Sequence, residues 1–530
     1  MATLLIRSAA GERRLTVSVG QSVREILDAT DLRVRAACGG TGACGACAVR
    51  LLGGAVNPPS VAEYMRLSKG ERAQGARLAC QLRLAGDAEI QLDQPAPPCV
   101  WKSIAPENLI SPPGRLPALQ EYIYGVAVDL GTTHIRVALW DRRAGRRIAT
   151  RRGFNPQGIF GADVLNRLSA VPEHGYELAK LARSAINQAI RDMLVRDVGE
   201  VAPMLMQIGQ MIVVGNTAML ALLTEHGGAE LLAPDNWQRP IDYAPSDPAA
   251  WHEAWHLPHV QIVLPAPVAG FVGSDLIADL IATHLVEGVA GALLLDVGTN
   301  TEIALWDGQR LHITSVPGGP AFEGVGIRHG MPAETGAICR VRPGQNGYDC
   351  EVIGGDAARG LCGSGLADGI AVLLADGLLK PSGRFAAASG SQGYELLPGN
   401  PRSAIGAGDV DAFQRAKAAT AAAMEVLLHG AGMGWGDIRR LCVCGAFGRH
   451  LDIGHAQAVG LLPSIDPALI KLDADATLAG CECALLRADG ADLFSALTKL
   501  TCPVNLSFIE GYDDRYINHL RLKPISPIIA

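Results

Sequence analysis

Four cysteines near the N-terminus have the spacing of a metal or cluster site. Cys38, Cys44 and Cys47 fall in the run CGGTGACGAC, and Cys80 follows at a distance, giving C-x5-C-x2-C-x32-C. Thiolates in such a loop suit a 2Fe–2S cluster. Glycine and alanine let backbone N–H groups point at the sulfurs and keep the loop close. Zinc also takes four thiolates, but zinc ribbons pair two short C-x2-C knuckles. Here three ligands cluster and one is remote.

A second set of chemical residues comes as a repeat. Residues 129–141 read DLGTTHIRVALWD and residues 296–307 read DVGTNTEIALWD, 167 residues apart. In each copy an Asp at a strand end, Asp129 or Asp296, can hold a hard cation such as Mg or its water shell. The following Gly131 or Gly298 lets backbone approach a phosphate. Thr132, Thr133, Thr299 and Asn300 then offer donors to phosphate oxygens. Two such turns facing each other would clamp a Mg-nucleotide from both sides. Further along, Gly363, Ser364 and Gly365 open a helix, a ready anion site. Gly445 and Gly448 in VCGAFG (443–448) form a strand-then-glycine turn suited to the adenosine. Asp275 and Glu302 are the carboxylates able to orient an attacking water; a plain N-cap is the alternative for Asp275.

Other motifs weigh less. His252-Glu253-Ala-Trp-His256 fits H-E-x-x-H, but Pro245, Pro248 and Pro258 leave little room for the helix that zinc hydrolysis needs. The pairs Cys442/Cys444 and Cys481/Cys483 read as small buried hydrophobes more readily than as a second metal site.

The elements that must position these residues follow from pattern. Each repeat follows an apolar run, YGVAV or ALLL, so each reads as strand, tight turn and returning strand. One hairpin per half predicts a duplicated domain, with halves at 123–290 and 291–530. Residues 1–93 form a separate unit, with strands at 3–6 and 14–19 and a helix from Ser22 to Ala29. Residues 94–122 carry seven prolines and read as a stiff linker or a surface strap. Helices are expected at 164–168, 176–195, 276–284 and 410–428.

The totals set bounds. With 530 residues the chain is long enough for several domains. At 19% charged residues and net charge −7, a nucleic-acid partner held by electrostatics is not expected. No membrane span or secretory leader is expected, which predicts a cytoplasmic protein. Thirteen cysteines there point to metal or redox use.

The paired hairpins resemble the acetate kinase, sugar kinase, Hsp70 and actin ATPase superfamily, which implies a ribonuclease H-like fold closing on ATP. Residues 1–93 resemble the β-grasp ferredoxins. The combination, with GNTAM, GFVGSD, DVGTNTEI, GPAFEG, GLCGSGLAD and CGAFGRHLD, resembles the reductive activators of corrinoid proteins. That resemblance implies a Co(II) corrinoid partner, a low-potential electron donor and a homodimer. It also implies that ATP hydrolysis drives one-electron reduction to Co(I) in a B12-dependent methyltransferase system. A ferredoxin-type cluster near about −400 mV falls short of that task. A deficit of roughly 100–150 mV would cost about 2–3.5 kcal/mol, which ATP could supply by remodelling the partner. Larger members of that family carry a middle domain, for which the linker leaves no room. A cluster-regulated small-molecule kinase, or an electron carrier with a non-catalytic nucleotide module, is the alternative.

Overall fold

The computed structural model describes residues 2–93 apart from 10, 29–31, 33, 35–41, 43 and 44; residues 101–103; residues 122–194; and residues 201–525 apart from 238, 240, 346, 356 and 387–392. Cys38 and Cys44, and most of the proline-rich stretch, lie outside the described residues.

The N-terminal unit is a five-stranded β-grasp sheet. Its order is Gly11–Val17, Ala2–Ser8, Leu84–Leu92, Ala48–Val56, Ala76–Leu78, with Ala2–Ser8 and Leu84–Leu92 parallel. Alternating apolar positions put Leu4, Ile6, Leu84, Ile90 and Leu92 into one core under the helix Val23–Asp28. Ser22 starts that helix reciprocally. Its Oγ accepts from Glu25 N at 3.2 Å, and Glu25 Oε2 accepts from Ser22 N at 2.7 Å. A buried ion pair sets the cysteine region. Arg77 Nε and Nη2 donate to Glu63 at 2.7 and 3.2 Å, and Leu78 N donates to Glu63 Oε1 at 2.9 Å. Burial raises the Glu63 carboxyl, but the Arg77 and backbone bonds outweigh it and hold it below its usual range. The pair locks the helix Val61–Arg66 to the strand Ala76–Leu78, which leads into Cys80.

The rest of the chain is built on two sheets of the same plan. The first runs Gln261–Val263, Ile208–Gly215, Tyr124–Leu130, His134–Asp141, Arg146–Phe154, Lys102–Ser103. The second runs Ile470–Asp473, Arg440–Cys444, Ala292–Val297, Thr301–Trp306, Leu311–Val316, Thr501–Pro503. Both repeats are antiparallel hairpins, with Asp129 opposite Arg136 and Asp296 opposite Glu302. Part of the expected linker is therefore sheet. Lys102–Ser103 pairs with Arg151 and Arg152, and Trp101 lies where a Cβ on Gly153 would sit 3.0 Å away. The helices expected at 164–168 and 176–195 meet within Val164–Met193, separated by a kink at His174, whose backbone is not helical, two residues after Pro172.

A shared core joins the sheets. Ala127, Ala138 and Val214 of one sheet and Leu294, Ala304 and Cys442 of the other enclose the helices Ser274–Thr283 and Ala476–Leu485. These helices cross in backbone contact, since a Cβ on Gly480 would lie 1.8 Å from the Ala278 carbonyl oxygen. Trp140 Nε1 donates to Glu482 Oε1 at 2.8 Å and adds a polar tie.

The helix Ala407–Gly430 covers the second sheet and carries Lys417, fully buried. Its Nζ donates to the Arg521 carbonyl, while Gln414 Nε2 donates to the Leu520 carbonyl at 2.6 Å. Burial, with nearby Lys523, pushes the Lys417 amine down to about 7. The unfolded chain keeps this proton until about pH 10.4. Stability therefore rises with pH between about 7 and 10, where only the unfolded state is protonated, and the full penalty stands below 7. Melting temperatures measured from pH 6.5 to 9.5 should climb more steeply for the wild type than for Lys417→Met.

Candidate functional site

The two hairpin turns meet across a cleft between the sheets. Thr133 Oγ1 and Thr299 Oγ1 are 3.4 Å apart, and both donate to Glu323 Oε2, at 2.8 and 2.9 Å. Neighbouring elements brace the first turn. Asn155 Nδ2 donates to the Gly131 carbonyl at 2.9 Å, and Asn216 Nδ2 donates to Thr132 Oγ1 at 2.9 Å. Asn155 and Asn216 hold those positions because each also caps the helix that follows it. Of the expected residues, Asp129, Gly131, Thr132 and Thr133 line the cleft from one side. Asp296, Gly298, Thr299, Asn300 and Glu302 line it from the other, and Asp275, Gly363, Ser364 and Gly445 complete it.

Two expected residues stand elsewhere. Gly365 and Gly448 are not among the cleft residues. Gly365 lets its helix touch the neighbouring strand, since a Cβ there would sit 2.0 Å from the Ile338 carbonyl; one on Gly448 would sit 3.0 Å from the Val443 carbonyl. Gly445 serves its turn differently from the simple expectation. At φ +83° it admits no ordinary side chain, and a Cβ would fall 2.7 Å from Asp296 Oδ1. Its bareness makes room for that carboxylate. Asp275 is not an N-cap: Gly273 holds that position, and Asp275 turns into the cleft.

The cleft is strongly acidic. Burial pushes Asp129 up to about 6, against the pull of Arg136, whose Nη1 lies 3.6 Å away. Burial raises Asp296 against the pull of Arg136 and a hydrogen bond with Asp279, while burial and the neighbouring acids raise Asp275 and push Asp279 and Glu302 well above their usual range. Asp279 is completely buried. Its Oδ1 accepts from Thr477 Oγ1 at 2.9 Å, while Oδ2 has no hydrogen-bond donor. Crowded carboxylates with an orphaned oxygen are what a cation would relieve. Among the described residues, no three His, Cys, Asp or Glu side chains converge on a bare ion.

Sequence reasoning did not place Glu323, Arg136, His134, Phe322 or Thr477 in the site, yet all line it, as does Phe447 of the expected glycine turn. His134 and Arg136 sit within the first repeat, at positions that the second repeat fills with other residues. Glu323 follows a glycine-rich run that marked the loop without marking its target.

At the other chemical centre, Cys47 and Cys80 are buried with their sulfurs 3.4 Å apart and no disulfide between them. Gln81 Nε2 lies 3.7 Å from Cys80 Sγ. Gly42 and Gly45 take φ +81° and +72°, so the loop turns tightly where it borders the cysteines. Two buried thiols held together beside left-handed glycines fit the thiolate set of a cluster. The competing motifs dissolve. The helix carrying His252 ends at Glu253, His256 has φ +53°, and His252 Nε2 is engaged by the Val260 carbonyl at 2.7 Å. Cys442, Cys444 and Cys481 are completely buried.

Three family models match the chain. Residues 8–85 match the 2Fe–2S iron–sulfur cluster binding domain. Residues 124–288 match the RACo middle region, and residues 290–526 match the C-terminal domain of RACo, the ASKHA domain. The chain belongs to the RACo family. The expectation that it lacks a middle domain is thereby corrected, because the family's middle region is the segment bearing the first repeat. A relative from Eubacterium limosum, corrinoid activation enzyme RamQ, is 29% identical over 74% of this chain and 69% of its own length. A Methanosarcina barkeri protein, the Co(II) methylated amine-specific corrinoid protein reductase, is 25% identical over 75% and 77%. The solved structure of a reductive activator for corrinoid, iron–sulfur protein superposes with a TM-score of 0.66 at 24% identity, covering 99% of both chains, and so shares the fold. Among the described residues no helix is long and apolar enough to cross a membrane.

Proposed function

We propose that this RACo-family protein is an ATP-dependent reductive activator of a corrinoid protein, returning Co(II) to Co(I) in a B12-dependent methyltransferase system. The observation that carries the reading is the joining, in one chain, of a thiol-lined β-grasp unit to a two-sided cleft of paired Gly-Thr turns. Gly131, Thr132 and Thr133 from one half (123–290) and Gly298, Thr299 and Asn300 from the other (291–530) hold the phosphates of ATP. Asp129 and Asp296 hold the water shell of Mg. Gly363 and Ser364, at a helix N-terminus, add N–H donors, and Gly445 and Phe447 border the adenosine side. Asp275 or Glu302 orients the attacking water. Cys38, Cys44, Cys47 and Cys80 hold a 2Fe–2S cluster, which when bound supplies a one-electron reductant. A separate low-potential donor provides the electron. The shared helix crossing at Gly480 and Ala278 lets the halves move about a fixed contact as nucleotide binds and is hydrolysed.

The test is a spectrum of the Co(II) corrinoid protein from the same organism's methyltransferase system, mixed with this protein and a low-potential reductant, with and without MgATP. Co(I) should appear only with MgATP. ATP turnover on a small metabolite without Co(I) would replace this reading with a kinase.

A further inference from the structure

Glu323 does something that the phosphate turns alone do not explain. Its Oε2 accepts from the hydroxyls of both turns at once, one from each half of the molecule. The two hydroxyls are themselves in contact. A phosphate oxygen that takes both hydrogen bonds must occupy the carboxylate's place, and at that distance it would meet a like charge. The segment bearing Glu323 is mechanically connected. Phe322, its neighbour, packs against Phe413 of the long helix at 5.8 Å and against Phe447 of the glycine turn at 5.0 Å. The Phe322 carbonyl lies 2.0 Å from where a Cβ on Gly363 would be. Beyond Glu323, Gly324 takes φ +83°, and Arg328 N donates to Asp409 Oδ1 at 2.7 Å. Moving Glu323 therefore shifts a loop that touches two elements lining the cleft, at Gly363 and Phe447, and the long helix behind them.

We infer that Glu323 is a clasp, a built-in anion that closes the cleft by standing in for a phosphate and that nucleotide must displace. The inference rests on the nucleotide reading proposed above. An occupant of the binding seat competes with the ligand, so its affinity cost is removed when the occupant is. It also makes nucleotide entry and loop movement a single event, because the same two hydroxyls cannot serve both anions.

The test is calorimetric titration of the full chain with MgADP and with MgATP, comparing wild type, Glu323→Gln and Glu323→Ala. Glu323→Gln keeps the shape and one acceptor, so it guards against misfolding. Both variants should bind roughly tenfold more tightly than wild type, the size of one charge-assisted hydrogen bond. Hydrogen exchange of the amides from 318 to 331 should quicken in nucleotide-free Glu323→Ala. Wild-type binding with unchanged or weaker binding in both variants would overturn the clasp and leave the nucleotide reading standing. Unchanged affinity with lost turnover would make Glu323 a catalytic carboxylate and likewise overturn the clasp. Absence of binding in all three would overturn the nucleotide reading, and the clasp with it.

Discussion

Asp296→Asn should lower ATP turnover, and with it MgATP-dependent Co(I) formation, by at least about 100-fold while leaving the protein as stable as wild type or more so. The two halves of this expectation have one cause. Asp296 is surrounded by Asp275, Asp279 and Glu302, all raised by burial and mutual repulsion. Its charge costs free energy in the folded protein, a cost that the proposed Mg would offset. An amide of the same shape removes the cost and cannot replace the charge. Asp129 is a less clean choice, since Asp129→Asn would strip Arg136 of a partner 3.6 Å away. Turnover assays paired with thermal melts decide the matter. Equal losses of stability and turnover would make Asp296 a structural residue.

Cys80→Ala should abolish the visible absorption of the cluster and all Co(I) formation, yet leave ATP turnover within about twofold of wild type. The separation follows from how the molecule is packed. The β-grasp core draws only on residues of the N-terminal unit, and the cores around the two larger sheets draw on none of them. Sites that share no packed partners have effects that add rather than couple. Loss of a buried thiolate ligand removes the site for the cluster and the local stability that binding adds. The Glu63–Arg77 pair and the β-grasp core remain to hold the fold. Iron analysis, absorbance and a phosphate-release assay on one preparation read all three consequences. Loss of ATP turnover along with the cluster would show that the two centres are one cooperative unit.

The hairpins were legible because their function repeats. Asp-x-Gly-Thr and Ala-Leu-Trp-Asp recur with the same flanks, and strand alternation around a fixed turn is a local property. The cysteine spacing was legible for the same reason. Glu323 was not, because its role depends on two turns 190 and 24 residues away meeting at one oxygen, and no local pattern encodes that meeting. Arg136 was hidden by register: only the antiparallel pairing sets it opposite Asp129. Gly365 and Gly448 were misplaced because a glycine that admits a ligand and one that admits a neighbouring strand look alike in one dimension. The kink at His174 falls between the two helices expected within Val164–Met193, although the first runs on past residue 168. The strand Lys102–Ser103 lay concealed in a proline-rich stretch.

That last strand has a counterpart. Each six-stranded sheet ends, on the corresponding side, in a short strand brought from elsewhere in the chain: Lys102–Ser103 beside Arg146–Phe154, and Thr501–Pro503 beside Leu311–Val316. An uncovered edge is a template for other chains. Both edges are shielded by pieces too short to recruit a partner themselves, and Pro503 has no N–H to extend the ladder outward. The segment that tethers the redox unit is thus also a guard against self-association. A chain cut cleanly between the two units would keep its nucleotide cleft and lose its protection from aggregation.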